Sequence, residues 1–191
     1  WRAPTDNDRK LKADWFAAHY DKAITRAYNT HFVAMDSEVR IHSDLSIGAI
    51  AVQRFMTVEI DWTVTVAGGV SANILTKRNM EFPEMPRFGL RLFVPETMEQ
   101  VTYFGLGPME NYIDKRHAAS HGLYHNTVDG LMEDYIRPQE NGAHDSCDYV
   151  TLENDKLRLI AVGPEPFSFN ASHYTQEELT EKAHNYELTP C

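Results

Sequence analysis

The chain has little of what several protein classes require. It carries two cysteines in 191 residues, Cys147 and Cys191, so it holds no disulfide framework and no Cys-x-x-Cys metal knuckle. No run reaches the roughly 18 consecutive apolar residues that a bilayer-spanning helix needs, and no signal-peptide pattern opens it. Cations are scarce: 18 Lys and Arg stand against 28 Asp and Glu, for a formal net charge of -10. The adjacent basic pairs are Arg9-Lys10, Lys77-Arg78 and Lys115-Arg116, which read as solvated surface. Nucleic acids and anionic membranes are bound by clustered Lys and Arg, so neither is expected as a partner. A neutral ligand such as a sugar is compatible with this balance. Internal repeats and low-complexity stretches are also absent.

What is present suits a globular domain. Hydrophobic residues make up 42% and charged residues 24%, enough apolar material for a core. The length fits one large or two small domains, and all-β folds of this size are often single, so one domain over 1–191 is expected. A start at Trp1 and a stop at Pro190-Cys191 lead us to expect a segment of a longer chain. After Asp6-Asn7-Asp8 the pattern predicts a helix, with Asp8 as N-cap and Leu11, Trp15, Ala18 and His19 on one face. From about Ala23 the period changes to two. Met56, Val58, Ile60, Trp62, Val64 and Val66 alternate with polar residues, as on a half-buried strand. Ala67-Gly68-Gly69 supplies a hairpin turn, and Val70, Ala72 and Ile74 resume the alternation. Further strands are predicted at Phe88–Val94, Val101–Leu106 and Leu157–Val162, with an irregular, polar stretch over 107–148. Thr175 with Glu178 forms a capping-box pattern before a short helix carrying Leu179, Ala183 and Tyr186. The sum is a mainly antiparallel β-sandwich with two short helices.

Three clusters could carry chemistry. In the first, which runs from Arg2 to Asp8, the carboxylates of Asp6 and Asp8 with the amide of Asn7 could bind a hard cation or sugar hydroxyls, or the segment could simply form a turn and helix cap. In the second, Glu110 and Asn111 follow Gly105-x-Gly107, and Arg137, Glu140 and Asn141 stand further on. The glycines lack the third member of a dinucleotide fingerprint. Acid-amide pairs beside aromatics suit sugar binding, and the same side chains equally suit tying down loop backbone. In the third, His117, His121 and His125 would align on a helix, but Gly122 and the lack of a placed Glu favour surface or structural histidines over a metal site. No serine lies on a nucleophile elbow, and neither cysteine has a neighbourhood that suggests a thiolate.

Four ordered segments together resemble a family. Trp1-Arg-Ala-Pro-Thr-Asp-Asn-Asp8, Tyr103-Phe-Gly-Leu-Gly-Pro-Met-Glu-Asn-Tyr112, Tyr135-Ile-Arg-Pro-Gln-Glu-Asn-Gly142 and Phe169-Asn-Ala-Ser-His-Tyr-Thr-Gln-Glu-Glu-Leu179 look like the fifth, C-terminal domain of the long family-2 β-galactosidases. The resemblance implies a galactose-mutarotase-like supersandwich, truncated at its C-terminal end. It also implies a parent enzyme that hydrolyses terminal β-D-galactosides such as lactose with retention, using two glutamates. Those glutamates, with magnesium and sodium sites, belong to a (β/α)8 barrel that this chain does not contain, so no catalytic residue, metal ligand or cofactor is expected here. The family's C-terminal domain also lends an aromatic residue to the galactose pocket, and Trp1, Trp15 and Trp62 do not match it. Expected partners are the other domains of the same enzyme, a β-galactoside in the parent, and further copies in a homo-oligomer. The expected compartment is the cytoplasm, with the periplasm as the alternative. Arg2, Asn7, Asp8, Glu110, Asn111, Arg137, Glu140 and Asn141 are the expected rim facing the barrel or sugar. The competing reading is an autonomous carbohydrate-binding or mutarotase-like module, for which His144 with Glu140 is the nearest acid/base pair.

Overall fold

Strict alternation over 56–66 builds a strand because successive side chains on a pleated backbone point to opposite faces. In the computed structural model, which describes residues 1–191, this strand is β3 (Met56–Thr65). It lies in an antiparallel meander with β1 (Ile24–Ala34), β2 (Glu38–Gly48) and β4 (Val70–Arg78), in the order β1-β2-β3-β4. The β3–β4 turn uses Gly68 at φ 85°, and Thr65 Oγ1 accepts the Gly69 N–H at 3.0 Å. A second antiparallel sheet comprises β5 (Gln100–Gly107), β6 (Ser120–Thr127), β7 (His144–Glu153) and β8 (Arg158–Phe169), ordered β6-β5-β7-β8. Three short helices complete the fold: α1 (Lys12–Ala17), α2 (Val128–Leu131) and α3 (Gln176–Glu181). The protein is thus mainly β, with two antiparallel four-stranded sheets. Its chain divides into two compact units, Trp1 with Asp8–Phe88, and Arg2–Asn7 with Gly89–Cys191.

In the first unit the core is Trp15, Ala18 and Tyr20 packed on Phe55, Met56, Val58 and Ile60. The polar tips of the two large aromatics are satisfied: Trp15 Nε1 donates to the Glu84 carbonyl at 2.9 Å, and the Tyr20 hydroxyl donates to the Pro83 carbonyl at 2.7 Å. The segment carrying Trp15 and Tyr20 packs on the Met56–Ile60 end of β3. Burial therefore fades along the strand, and Val64 and Val66 at the far end are exposed.

The second unit is centred on Val101 and Tyr103 of β5, Cys147 of β7, and Val128 and Leu131 of α2. Here the Gly105-x-Gly107 spacing has a packing cause. A Cβ at Gly105 would stand 2.3 Å from Cys147 Sγ, and one at Gly107 would stand 2.4 Å from the Tyr103 hydroxyl. Both positions are glycine because a neighbour occupies the side-chain space. Burial pushes the Cys147 thiol up to about 12, so it stays protonated and lies against the carbonyls of His144 and Asp145 at 3.7 and 3.6 Å.

Several local expectations are corrected. Residues Phe88–Val94 alternate like a strand but form none. They join no ladder, and Phe88, Leu90, Leu92 and Val94 are exposed; alternation describes a half-buried surface, but a strand also needs a hydrogen-bonding neighbour. Asp8 is not an N-cap: it is buried in a 3-10 turn, Asp6–Arg9, and α1 begins after Leu11 with no side-chain cap. Thr175 does cap α3, accepting the Glu178 N–H at 3.1 Å, but that helix stops at Glu181 and Tyr186 is exposed. The stretch 107–148 is less irregular than its composition suggests, since it holds β6, α2 and the start of β7. A third short helix, α2, was not foreseen. His121 and His125 lie on β6, so the helical alignment of three histidines does not exist.

Replacing Gly105 with Ala should lower the unfolding free energy by about 1–3 kcal/mol through overpacking against Cys147. Denaturant unfolding of Gly105→Ala, alone and combined with Cys147→Ala, checks this. Partial recovery in the double variant is expected, because the Cys147 Cα also lies only 2.8 Å from the added Cβ.

Candidate functional site

Most of the polar residues singled out from the sequence meet in the second unit, where three chain segments are stitched together. The 2–7 strip joins residues 139–140 through Glu140 N–H to the Ala3 carbonyl at 3.3 Å and Asp6 N–H to Gln139 Oε1 at 3.1 Å. The 109–112 turn joins residues 142–145 through Asn111 N–H to the Ala143 carbonyl at 2.8 Å. At the crossing sits Glu110, only 6% exposed. Its Oε1 accepts from Lys115 Nζ at 2.6 Å and from the Tyr135 hydroxyl. Its Oε2 accepts from the Gly142 N–H at 2.9 Å and from the Tyr112 hydroxyl at 3.4 Å.

Electrostatics at this carboxylate follow from that geometry. Burial works to raise the Glu110 pKa, but hydrogen bonds from Lys115, Tyr135 and Gly142 together outweigh it and hold the group below its usual value. The hydrogen bond to Glu110 correspondingly raises Lys115. Burial raises Tyr112, and the nearby charges of Glu110 and Glu140 add to the effect. Glu110 is therefore ionised at neutral pH, and donors from its own unit surround both of its oxygens. A general acid needs the opposite, a raised pKa and a protonated oxygen open to substrate.

The amides serve the loops in the same way. Asn111 is 1% exposed; its Nδ2 donates to the carbonyls of Leu106 and Met109 at 2.9 and 3.0 Å, while its Oδ1 accepts the Asp145 N–H at 2.7 Å. Asn141 accepts the Glu133 N–H at 3.1 Å and donates to the Gln139 carbonyl at 2.9 Å. Glu140 is buried and Arg2 is half-buried, whereas Asn7 and Arg137 are exposed. Asp8 is buried in the first unit. The site thus gathers Glu110, Asn111, Glu140, Asn141 and, through its strip, Arg2, and it leaves Asn7 and Arg137 facing solvent.

Lys115, Tyr135, Tyr112 and Gln139 complete the network, and none was a candidate from the sequence. The available signal was weak: a cation five residues after Glu110 and a tyrosine two before Arg137. His144 is placed with the core. It is 1% exposed, its ring lies 4.5 Å from Tyr103 and 5.4 Å from Phe169, and burial lowers its pKa. The Asn111 amide hydrogens are taken by carbonyls, so His144 Nδ1–H donates to the Leu106 carbonyl at 3.2 Å. A register shift between His144 and Cys147, with Ser146 at φ 53°, lets both residues face inward despite their odd spacing. Beside Glu110 opens a cleft of about 440 Å³ bordered by Lys115, Arg116, His117, Glu133 and Tyr135. Met109, Ala118 and Ala119 add apolar lining, and of its two carboxylates, Glu110 and Glu133, the first is already bound by its own donors.

This is an antiparallel all-β module whose conspicuous polar residues mostly brace its own loops. Residues 1–191 match the family described as beta galactosidase small chain, and the chain belongs to that family. It is 45% identical over 188 residues to a beta-galactosidase of Actinobacillus pleuropneumoniae, 35% over 190 residues to one of Staphylococcus xylosus, and 37% over 194 residues to one of Lactococcus lactis subsp. lactis. These alignments cover 98%, 100% and 96% of this chain. The chain spans only 18–19% of the length of those relatives.

Glu110→Gln should destabilise the fold at neutral pH by about 1–3 kcal/mol, the range for hydrogen bonds to a charged group, kept low because Lys115 is largely solvated. Because the native pKa is depressed, this contribution is complete above the usual value near 4.5 and is lost as pH falls through the native pKa. Denaturation curves of the two proteins at several pH values should therefore converge as acid is added. A constant gap down to low pH would contradict the assignment.

Proposed function

We propose that this chain is a non-catalytic domain of a larger β-galactosidase, which hydrolyses terminal β-D-galactosides such as lactose with retention. The domain helps shape one wall of the active site and an interface with the other domains. The observation that carries this reading is the commitment of Glu110. The most conspicuous buried acid of the loops is ionised and bound by four donors of its own unit, so it cannot act as nucleophile or proton donor. In this reading the catalytic pair, with its magnesium and sodium, lies on the barrel domain that the family resemblance implies for the parent.

An apolar row supports the interface role. One rung of the second sheet carries Leu123, Phe104, Tyr149 and Val162 side by side, and Leu123, Phe104 and Val162 are exposed. Such a row suits the other domains of the same enzyme, or a second copy in a homo-oligomer. No helix is long and apolar enough to cross a membrane. The compartment we propose for the parent is the cytoplasm, with the periplasm as the alternative. The mutarotase-like alternative is disfavoured by His144, whose ring is enclosed by Tyr103 and Phe169 and is closed to a sugar.

The purified chain should show no turnover of a nitrophenyl β-galactoside; clear hydrolysis by pure protein would overturn the proposal. In the full-length enzyme, Glu110→Gln should leave the reaction's stereochemical outcome unchanged. Loss of assembly or stability would assign the residue to the wall's architecture, and a lower kcat/KM in an intact oligomer would assign it to shaping the pocket.

A further inference from the structure

Away from the Glu110 loops, three ligand-bearing side chains converge from three distant parts of the second unit. Glu99 immediately precedes β5, Asp129 sits in the single turn of α2, and His173 lies between β8 and α3. His173 Nε2 stands 2.8 Å from Glu99 Oε2 and 3.6 Å from Asp129 Oδ1, and one ligand atom from each residue lies within 4.8 Å of the others. We propose that Glu99, Asp129 and His173 form a divalent-cation site, with zinc as the occupant its donors fit best.

The chemistry of the donor set points to that choice. One imidazole with two carboxylates suits zinc, which accepts both nitrogen and oxygen donors at about 2.0–2.2 Å. Calcium and magnesium favour all-oxygen shells, and a soft copper(I) ion favours sulfur. For a tetrahedral ion with bonds of that length, neighbouring donors stand roughly 3.3–3.5 Å apart. The two separations from His173, 2.8 and 3.6 Å, bracket that edge, and the carboxylate–carboxylate separation is within 4.8 Å, so side-chain adjustment of the three residues would close the shell around an ion. Three protein ligands would leave one position for water.

The ligands are also held before any ion arrives. The Glu99 carbonyl accepts the Val128 N–H at 3.0 Å, and Glu99 Oε1 accepts the Asp129 N–H at 2.9 Å. Those two bonds fix α2 against Glu99 and leave its other oxygen for His173. The His173 carbonyl is in turn held by the Cys191 N–H at 2.9 Å. Side-chain exposure is 18% for His173 and 30% for Glu99, while Asp129 is open at 84%, which leaves an entry path. Two carboxylates beside one imidazole in an acidic protein carry excess negative charge that a divalent ion neutralises. The ion would clip the segment before α3 to the base of β5.

Calorimetric titration of the full chain with zinc chloride tests the site, in a Cys191→Ser background that removes the exposed thiol of the residue whose N–H bonds the His173 carbonyl. One equivalent should bind, with manganese weaker, and the melting temperature should rise with zinc and fall back with a chelator. Glu99→Gln and His173→Ala should each weaken binding by about tenfold or more, while His184→Ala should leave it unchanged. The isosteric Glu99→Gln keeps the comparison valid should His173→Ala fold poorly. Absence of zinc binding would overturn the site and leave the cluster as an ion pair. Binding of equal strength in Glu99→Gln would overturn it too, by placing the ion elsewhere.

Discussion

The loops of the second unit depend on one buried carboxylate. An isolated ionised carboxylate removed from water is costly, so it persists only when its lone pairs are met. Glu110 draws its donors from Tyr112, Lys115, Tyr135 and Gly142. Long, polar connections that would otherwise sample many conformations are thereby joined at one point. The two buried amides extend the arrangement: Asn111 ties Leu106, Met109 and Asp145 together, and Asn141 bridges Glu133 and Gln139. With the 2–7 strip bonded to Gln139 and Glu140, these groups form a polar core beside the apolar one.

That arrangement bears directly on function. Acid-amide pairs beside aromatic residues are what a sugar site needs, and they are equally what a packed loop needs. The two uses compete for the same lone pairs. Here the loops have taken them, which supports the proposal that the family's chemistry lies in another domain. Arg137 and Asn7 are the exceptions: both stay exposed to solvent.

Elements whose own periodicity matches their burial were legible in the sequence. The alternation from Met56 and the Gly68-Gly69 turn located β3 and β4, and Thr175 located the start of α3. Elements whose signal lies in their partners were not. Phe88–Val94 has the alternation of a strand and no neighbour, whereas β6, Ser-His-Gly-Leu-Tyr-His-Asn-Thr, has a polar composition and pairs fully with β5. The candidate site divides in the same way. Glu110, Asn111, Glu140 and Asn141 stood out by type and turned out to share one network, but their key partners, Lys115 and Tyr135, are ordinary residues made important by position. Glu99, Asp129 and His173 lie 30 or more residues apart, and only the closed fold brings them together. Resemblance across four ordered segments reached the family, where composition and period alone reached an antiparallel β fold.

The distribution of unsatisfied surface completes the reasoning. The buried polar groups of the Glu110 loops are paired internally, while the second sheet leaves apolar side chains open: Leu123, Phe104 and Val162 on one rung, and Ile160 two residues before Val162 on β8. In the first unit, every residue of β1 is exposed, including Tyr28, Phe32 and Val33. Isolated apolar side chains at a surface are unremarkable, but rows of them along strands are a liability unless another surface covers them. A sugar, with its many hydroxyls, is a poor cover for an aliphatic rung, and another protein surface is a good one. The exposed rows of these sheets therefore fit a protein cover better than a sugar.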